Sequence, residues 1–404
     1  MSRSPGSRGR AAALVRRAVV MATAAVVLGA CATSSTAAKA PPSPAPLLPT
    51  PLATSVETAG GSWATVPMGH TGDVAETFWQ LLYRPAGGGT WSDKVQATAT
   101  ATNGGLVLAA SGGGSLVVGI RPSIDLKFTP LIATHDSGAA WSNGLIDQAV
   151  AARPDALAIG PGSDALAIVG GRAGGSVLSS KGGLSRWEPL VTLESLAGSA
   201  QAKGCSPDGL TAVAYEPAAA APLLGTSCGR AGVVGLFALR SGRWSFAGRG
   251  LAAVPAGVRF EVLGVYAIQS GLDALVAGSR RSGSELAVAQ MVHGGPWQLS
   301  PVLETASFYH LVSYGSDRGG LFALFSGPGG NARLELFNRA RSSWRRLPSP
   351  PAGTATVADG PGQALDALAV NDTVLRVWTL AVPSGRWVSR QVMRVPIQFG
   401  SSNP

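Results

Sequence analysis

The chain has 404 residues, 46% of them hydrophobic and 13% charged, with 54 glycines and 28 prolines, enough apolar material for a sizeable core and enough turn formers to imply a β-rich fold with few long helices. Its formal charge is +10, but five arginines in the first 17 residues supply half of that; the remainder holds 27 basic and 22 acidic residues, net +5, with no long basic run. That balance reads as ordinary solubility and argues against a nucleic-acid partner.

In chain order, Arg3, Arg8, Arg10, Arg16 and Arg17 precede an apolar run from Ala18 to Leu28, followed by Gly29, Ala30 and Cys31. A positive segment, a short apolar segment and small residues before a cleavage point describe an export signal. The stretch Ala18–Ala30 holds 13 residues, short of the ~20 a helix needs to cross a bilayer. Leu28-Gly29-Ala30-Cys31 resembles the lipobox of bacterial lipoproteins. The resemblance implies removal of residues 1–30, a diacylglyceryl group and palmitate-type acylation on Cys31, and residence at the extracytoplasmic face of the cell membrane through that lipid. A plain secretory signal with a coincidental cysteine also fits, and the pair Arg16-Arg17 leaves the export route open.

Residues 31–61 are rich in Ala, Ser, Thr and Pro around Pro41-Pro42-Ser43-Pro44-Ala45-Pro46. Such a composition cannot pack a core; it stays extended, at ~3 Å per residue where polyproline-like, and acts as a tether.

The texture changes at residue 62, and one element then recurs to the end: an alternating apolar strand, a turn of Gly, Ser or Arg, and a tryptophan opening a second strand. The tryptophans are Trp91, Trp141, Trp187, Trp244, Trp297, Trp344 and Trp387, spaced by 50, 46, 57, 53, 47 and 43 residues. Leu375–Leu380 before Arg386-Trp387, and Leu236–Leu239 before Arg243-Trp244, show the pattern most plainly. A period in the forties to fifties made wholly of short strands predicts an all-β fold, a β-propeller over 62–404, with seven blades; six or eight fit the same spacing. Each indole is expected to be buried and to seal its hairpin against the next blade. Trp63, only 28 residues before Trp91, predicts a first blade that is compressed or borrows a strand from the other terminus.

Cys205 and Cys228 flank a predicted hairpin, Leu210–Tyr215 and Pro222–Ser227, whose turn lies midway between them. In an exported protein the expected state is a disulfide near the open end of that hairpin; two free buried thiols are the alternative.

Thr134-His135-Asp136-Ser137-Gly138-Ala139-Ala140-Trp141 resembles the Asp-box of sialidase-like (BNR) propellers, with Ala140 departing from the usual Thr or Ser. The physics suits Thr134, Asp136, Gly138 and Trp141: a carboxylate accepting backbone N–H groups across a tight turn, a glycine at positive φ, and an indole plugging the hairpin. The resemblance implies a structural device away from any active site. A sialidase-like glycoside hydrolase would need three converging arginines, Arg121 among them, beside a tyrosine; Tyr309 and Tyr314, near Glu304 and Asp317, are the tyrosines considered. Ile168-Val169-Gly170-Gly171 and Trp344–Pro348 are similar to pieces of kelch repeats.

No catalytic residue, metal ligand or cofactor is predicted. His70, His135, His293 and His310 each stand alone in the sequence, as turn or surface residues usually do. The expectation is therefore a membrane-anchored, non-enzymatic scaffold binding an extracytoplasmic protein or glycan at the funnel of the propeller; the sialidase-like hydrolase is the alternative.

Overall fold

Among the described residues, alternation of apolar residues with glycine-rich turns produces seven successive antiparallel meanders. The first is β1 (Ala53–Thr58), β2 (Gly61–Gly69), β3 (Thr77–Pro85) and β4 (Ser92–Asp93). The second is β5 (Leu106–Ala110), β6 (Leu116–Ile120), β7 (Phe128–Thr134) and β8 (Ser142–Asp147). The third is β9 (Ala156–Ile159), β10 (Ala165–Val169), β11 (Ser176–Ser180) and β12 (Glu188–Thr192). The fourth is β13 (Pro207–Tyr215), β14 (Pro222–Cys228), β15 (Gly235–Arg240) and β16 (Arg243–Phe246). In the fifth, β17 (Arg259–Ile268), β18 (Gly271–Arg280) and β19 (Gly283–Val292) are completed by two short strands, β20 (Gln298–Leu299) and β21 (Leu303–Ala306), both on β19. The sixth is β22 (His310–Ser316), β23 (Gly320–Ser326), β24 (Ala332–Asn338) and β25 (Ser343–Arg346). The last is β26 (Thr354–Asp359), β27 (Ala364–Asn371), β28 (Val374–Ala381) and β29 (Trp387–Arg394).

The computed structural model describes residues 53–395 apart from 70–76, 95–104, 112, 121–125, 148–153, 173, 218, 249–250, 252–254, 256, 269–270, 281–282, 293, 317–319, 363 and 382–384. The expected signal, Cys31 and most of the expected tether lie outside the described residues. The sheet begins at Ala53, inside the stretch read as tether, because β1 pairs along β2 from Ser55↔Ala64 to Thr58↔Gly61. The first meander is thus complete from its own residues and borrows no strand from the other terminus.

The middle strands are apolar on both faces, since each meander is packed on two sides. In β18, Leu272, Ala274 and Val276 face the fourth meander while Leu275 and Ala277 face the sixth. In β2, Trp63 faces the second meander while Ala64, Val66 and Met68 face the seventh. Seven apolar clusters arise this way among the described residues, each between one meander and the next, and one joins the seventh to the first. The meanders therefore form a ring, the β-propeller that the tryptophan spacing predicts.

Every one of the seven tryptophans stands at the start of its meander's outermost strand and lies in a different one of those seven seams. Two details differ from expectation. Each indole packs against the preceding meander rather than the following one, Trp141 meeting Trp63 at a ring-centroid distance of 5.9 Å for example. Of the seven, Trp91 and Trp297 are buried; the other five are half-buried, since an outermost strand has neighbours on one edge alone.

The ring closes in an uneven way. β1 pairs in parallel with β22, Ala53↔Ser313 and Thr54↔Tyr314, so the first and sixth meanders join directly. β26 lies behind that junction, held by Ser55 Oγ donating to the Val357 carbonyl at 2.8 Å and by a 2.8 Å contact between the Ser313 and Thr356 hydroxyls.

Candidate functional site

Because β26 is held back, the central channel is walled by the first strands of six meanders: β1, β5, β9, β13, β17 and β22. They enclose a cavity of about 870 Å³. Leu106, Leu108, Leu157, Val213 and Leu263 supply apolar wall, and polar groups gather at the strand ends. Glu57 is near the end of β1, Ser111 and Ser115 bound the turn after β5, Ser163 the turn after β9, Tyr215 and Glu216 the end of β13, Tyr266 the end of β17 and Ser316 the end of β22. Since β1 and β22 run parallel and the meanders share one connectivity, these ends share one mouth. Asp155, just before β9, belongs to the opposite end.

The charged residues among the described lining are Glu57, Asp155 and Glu216; no Lys, Arg or His is among them. Glu216 is buried and accepts from the Arg240 guanidinium at 2.8 Å. Asp155 Oδ2 accepts from the backbone N–H of Gly171 at 2.8 Å.

Three tyrosines face the channel, and they differ. Tyr314 donates its hydroxyl to the Leu263 carbonyl at 2.8 Å, which removes it from chemistry. Tyr215 and Tyr266 have no hydroxyl partner among the described residues. Burial, followed by the nearby Asp164 charge, pushes the Tyr215 phenol well above its ordinary value. Burial, followed by Tyr314, does the same for Tyr266. Both therefore stay protonated across the neutral range and are standing hydrogen-bond donors on adjacent strands. Gly160 makes room for Tyr215: a Cβ at that position would come within 2.8 Å of Tyr215 Cε2.

A second cleft of about 290 Å³ lies between the second and third meanders, lined among others by His135, Ser142, Asn143, Ser163 and Ser185. His135 is not isolated, as the sequence suggested: its Nδ1 lies 2.6 Å from Ser115 Oγ.

Of the residues singled out in the sequence, Cys205 and Cys228 are joined in a disulfide at the open end of the β13–β14 hairpin, with Cα atoms 4.9 Å apart. The Thr134–Trp141 hairpin has the geometry its residues called for. Asp136 Oδ1 accepts from Thr134 Oγ1 at 2.8 Å and from Ala140 N at 2.9 Å, and Gly138 N donates to Thr134 Oγ1 at 2.9 Å. Gly138 sits at φ +80°, where a Cβ would lie 3.0 Å from Trp63 Cη2. These bonds hold the Asp136 carboxyl below the ordinary aspartate value, the Ala140 N–H first and the Thr134 hydroxyl second. The hairpin joins β7 to β8, the two outer strands of its meander.

The arginine constellation of a sialidase is not assembled by the described residues. Arg121 and Asp317 lie outside them, Tyr314 is committed to Leu263, and Glu304 sits on β21 opposite Glu285. Among the described residues no group of three or more His, Cys, Asp or Glu could hold a metal ion. No described helix is long and apolar enough to cross a membrane. Sequence reasoning missed Glu57, Tyr215, Glu216 and Tyr266. Their only signal was position, at the end of a strand that opens a meander.

No protein-family model matches the chain, and no curated protein does. Solved structures do. The periplasmic gluconolactonase PpgL of Pseudomonas aeruginosa matches with a TM-score of 0.55 at 15% identity, over 82% of this chain and 95% of that one. A protein of Bacteroides fragilis assigned as a 6-phosphogluconolactonase matches with a TM-score of 0.52 at 12% identity, over 83% and 96%. A further 6-phosphogluconolactonase assignment, from Bacteroides uniformis, gives a TM-score of 0.50 at 13% identity, over 82% and 96%. At such identities the likeness establishes the β-propeller fold.

It also corrects the expectation of a non-enzymatic scaffold. These whole-length matches are named as lactonases, so the architecture that suggested passive binding is one that solved enzymes use, and the channel here carries carboxylates and tyrosines among its described lining.

Proposed function

We propose that the chain is a hydrolase that opens a small, uncharged lactone in its central cavity. The observation that carries this reading is the chemistry of that cavity: apolar walls, two protonated tyrosine hydroxyls with no described partner, and carboxylates as its only described charges. The fold likeness to a gluconolactonase supports it.

Each feature has a part in such a reaction. The hydroxyls of Tyr215 and Tyr266 donate to the ring carbonyl oxygen, where negative charge develops as the carbonyl is attacked. Glu57, at the mouth, accepts from the hydroxyls of a polyol ring. Glu216, fixed by Arg240, shapes the same mouth. Water is consumed, the ring C–O bond breaks and a hydroxy acid leaves. Its new carboxylate faces an acidic wall, which favours release and disfavours substrates that are already anionic.

Proton release by the full chain from glucono-1,5-lactone, against the spontaneous rate, tests this. Acceleration is expected, with kcat/KM at least about tenfold higher than for the 6-phosphorylated lactone, a gap of ~1.4 kcal/mol. Absence of acceleration with any neutral lactone overturns it.

We infer further that the enzyme works at the extracytoplasmic face of the membrane, anchored by a diacylglyceryl group on Cys31. The lipobox-like Leu28–Cys31 stretch and the following Pro-rich segment support this. Two acyl chains anchor far more firmly than one, at ~0.8 kcal/mol per buried methylene. Cys31→Ser is expected to move the protein from the membrane fraction into the soluble one; unchanged fractionation would refute the anchor.

A further inference from the structure

We propose that Ser115 and His135 are the nucleophile and base of this hydrolase, set where the central cavity meets the second cleft, and that its substrates carry a side group seated in that cleft. This rests on the hydrolase reading and adds to it a covalent intermediate and a substrate shape.

The placement carries the argument. Ser115 lines the central cavity and His135 lines the 290 Å³ cleft, while Ile159 and Ser163 line both, so the two spaces share a wall and the Ser115–His135 hydrogen bond spans it. At 2.6 Å between Oγ and Nδ1, the pair is within the reach a nucleophile and its base require. Both residues stand at the end of one ladder. Leu116↔Thr134 is the last pair of the β6–β7 ladder, so Ser115 and His135 flank its end as cross-strand neighbours. The Ser115 carbonyl accepts from Ser111 N at 2.9 Å, closing its turn. His135 is exposed and follows Thr134 directly in the chain, before Asp136; the Thr134 and Asp136 side chains bond each other at 2.8 Å. The Asp136 hairpin, read from sequence as a folding device, thus also sets the backbone from which the base projects.

With Nδ1 unprotonated, the Ser115 hydroxyl donates to it. As Oγ attacks the substrate carbonyl, its proton passes to Nδ1; the carbonyl–oxygen bond to the leaving alcohol then breaks, and that oxygen takes the proton. Water next attacks the acyl-serine, giving one proton to Nδ1, and Ser115 Oγ leaves and recovers it. The acid and alcohol are released and the pair is restored. In a lactone the alcohol stays attached to the acyl part, and a side group on the ring has the cleft to occupy.

A fluorophosphonate probe on the full chain tests this without requiring the natural substrate. Oγ displaces fluoride from phosphorus, with the proton taken by His135. Expected is one covalent adduct, located on Ser115 by peptide mass spectrometry, absent in Ser115→Ala and slowed by about a hundredfold in His135→Asn, with far-UV circular dichroism unchanged in both. No adduct, or an adduct elsewhere that persists in Ser115→Ala, overturns the proposal. The two readings fail separately: undiminished lactone hydrolysis by Ser115→Ala removes the serine and leaves the lactonase, whereas labelling of Ser115 without lactone turnover leaves the pair and removes the sugar-lactone substrate.

Discussion

Arg84 Nε lies 3.2 Å from Asp366 Oδ2, with both side chains nearly wholly buried, and the contact joins the first meander to the seventh across the closing seam of the ring. The carboxylate also accepts from Trp91 Nε1 at 2.9 Å and Thr379 Oγ1 at 2.6 Å, while Arg84 reaches the Ser62 hydroxyl. A buried ion pair stabilises little relative to apolar residues of the same shape, but removing one partner strands the other charge out of water. Asp366→Ala is therefore expected to cost about 3–5 kcal/mol in guanidinium unfolding, and Arg84→Met with Asp366→Leu to recover most of it. Equal losses in the single and double variants would show that the pair does not act as one unit.

The Asp136 hairpin predicts a dependence on pH. The folded carboxyl titrates below its ordinary value, so the folded state binds fewer protons than the unfolded chain between the two. Its contribution is present above about pH 4 and is lost as pH falls through the folded value. The Tm of Asp136→Asn should lie below that of the natural chain near neutrality, and the gap should close as pH falls below the ordinary aspartate range. A gap that stays constant would mean the hydrogen bonds of the turn do not depend on the charge.

Breaking the disulfide should destabilise the fourth meander. Cys205 and Cys228 are 23 positions apart and fully buried in the seam with the third meander. Chain entropy puts the effect of closing such a loop at ~3 kcal/mol. Cys205→Ser with Cys228→Ser should lower stability by that order, and reductant should weaken the natural chain without affecting the variant.

Tyr215→Phe and Tyr266→Phe remove one hydroxyl each and leave the ring packing in place. If the phenols donate to developing negative charge, each substitution should lower kcat by about tenfold or more with KM little changed. Loss confined to KM would assign the hydroxyls to ground-state binding instead.

The seams of this ring were legible in the sequence because every meander must plug the same kind of gap. Trp91, Trp141, Trp187, Trp244, Trp297, Trp344 and Trp387 repeat for a reason of packing that holds whatever the cavity contains. The cysteine pair was legible for a similar local reason, since both ends of one hairpin necessarily meet.

The channel was not legible, and the reason is register. Side chains alternate sides along a strand, so which of them face the channel depends on the count from a fixed point. Several first strands break that count: the ladder shifts between Leu210 and Ala212 in β13, between Val262 and Gly264 in β17 and between Leu311 and Ser313 in β22. Each irregularity lies upstream of a channel residue, Tyr215, Tyr266 and Ser316 respectively, and turns the face that simple alternation would assign.

The amino-acid order alone thus determined the repeated strand pattern and the indoles that seal it, because those depend on neighbours a few residues apart. Only the folded ring decided that β26 stands back behind β1 and β22, that Tyr215 and Tyr266 share one mouth, and that Ser115 meets His135. Those relations join strands far apart in the chain, and they exist only once the seams have closed.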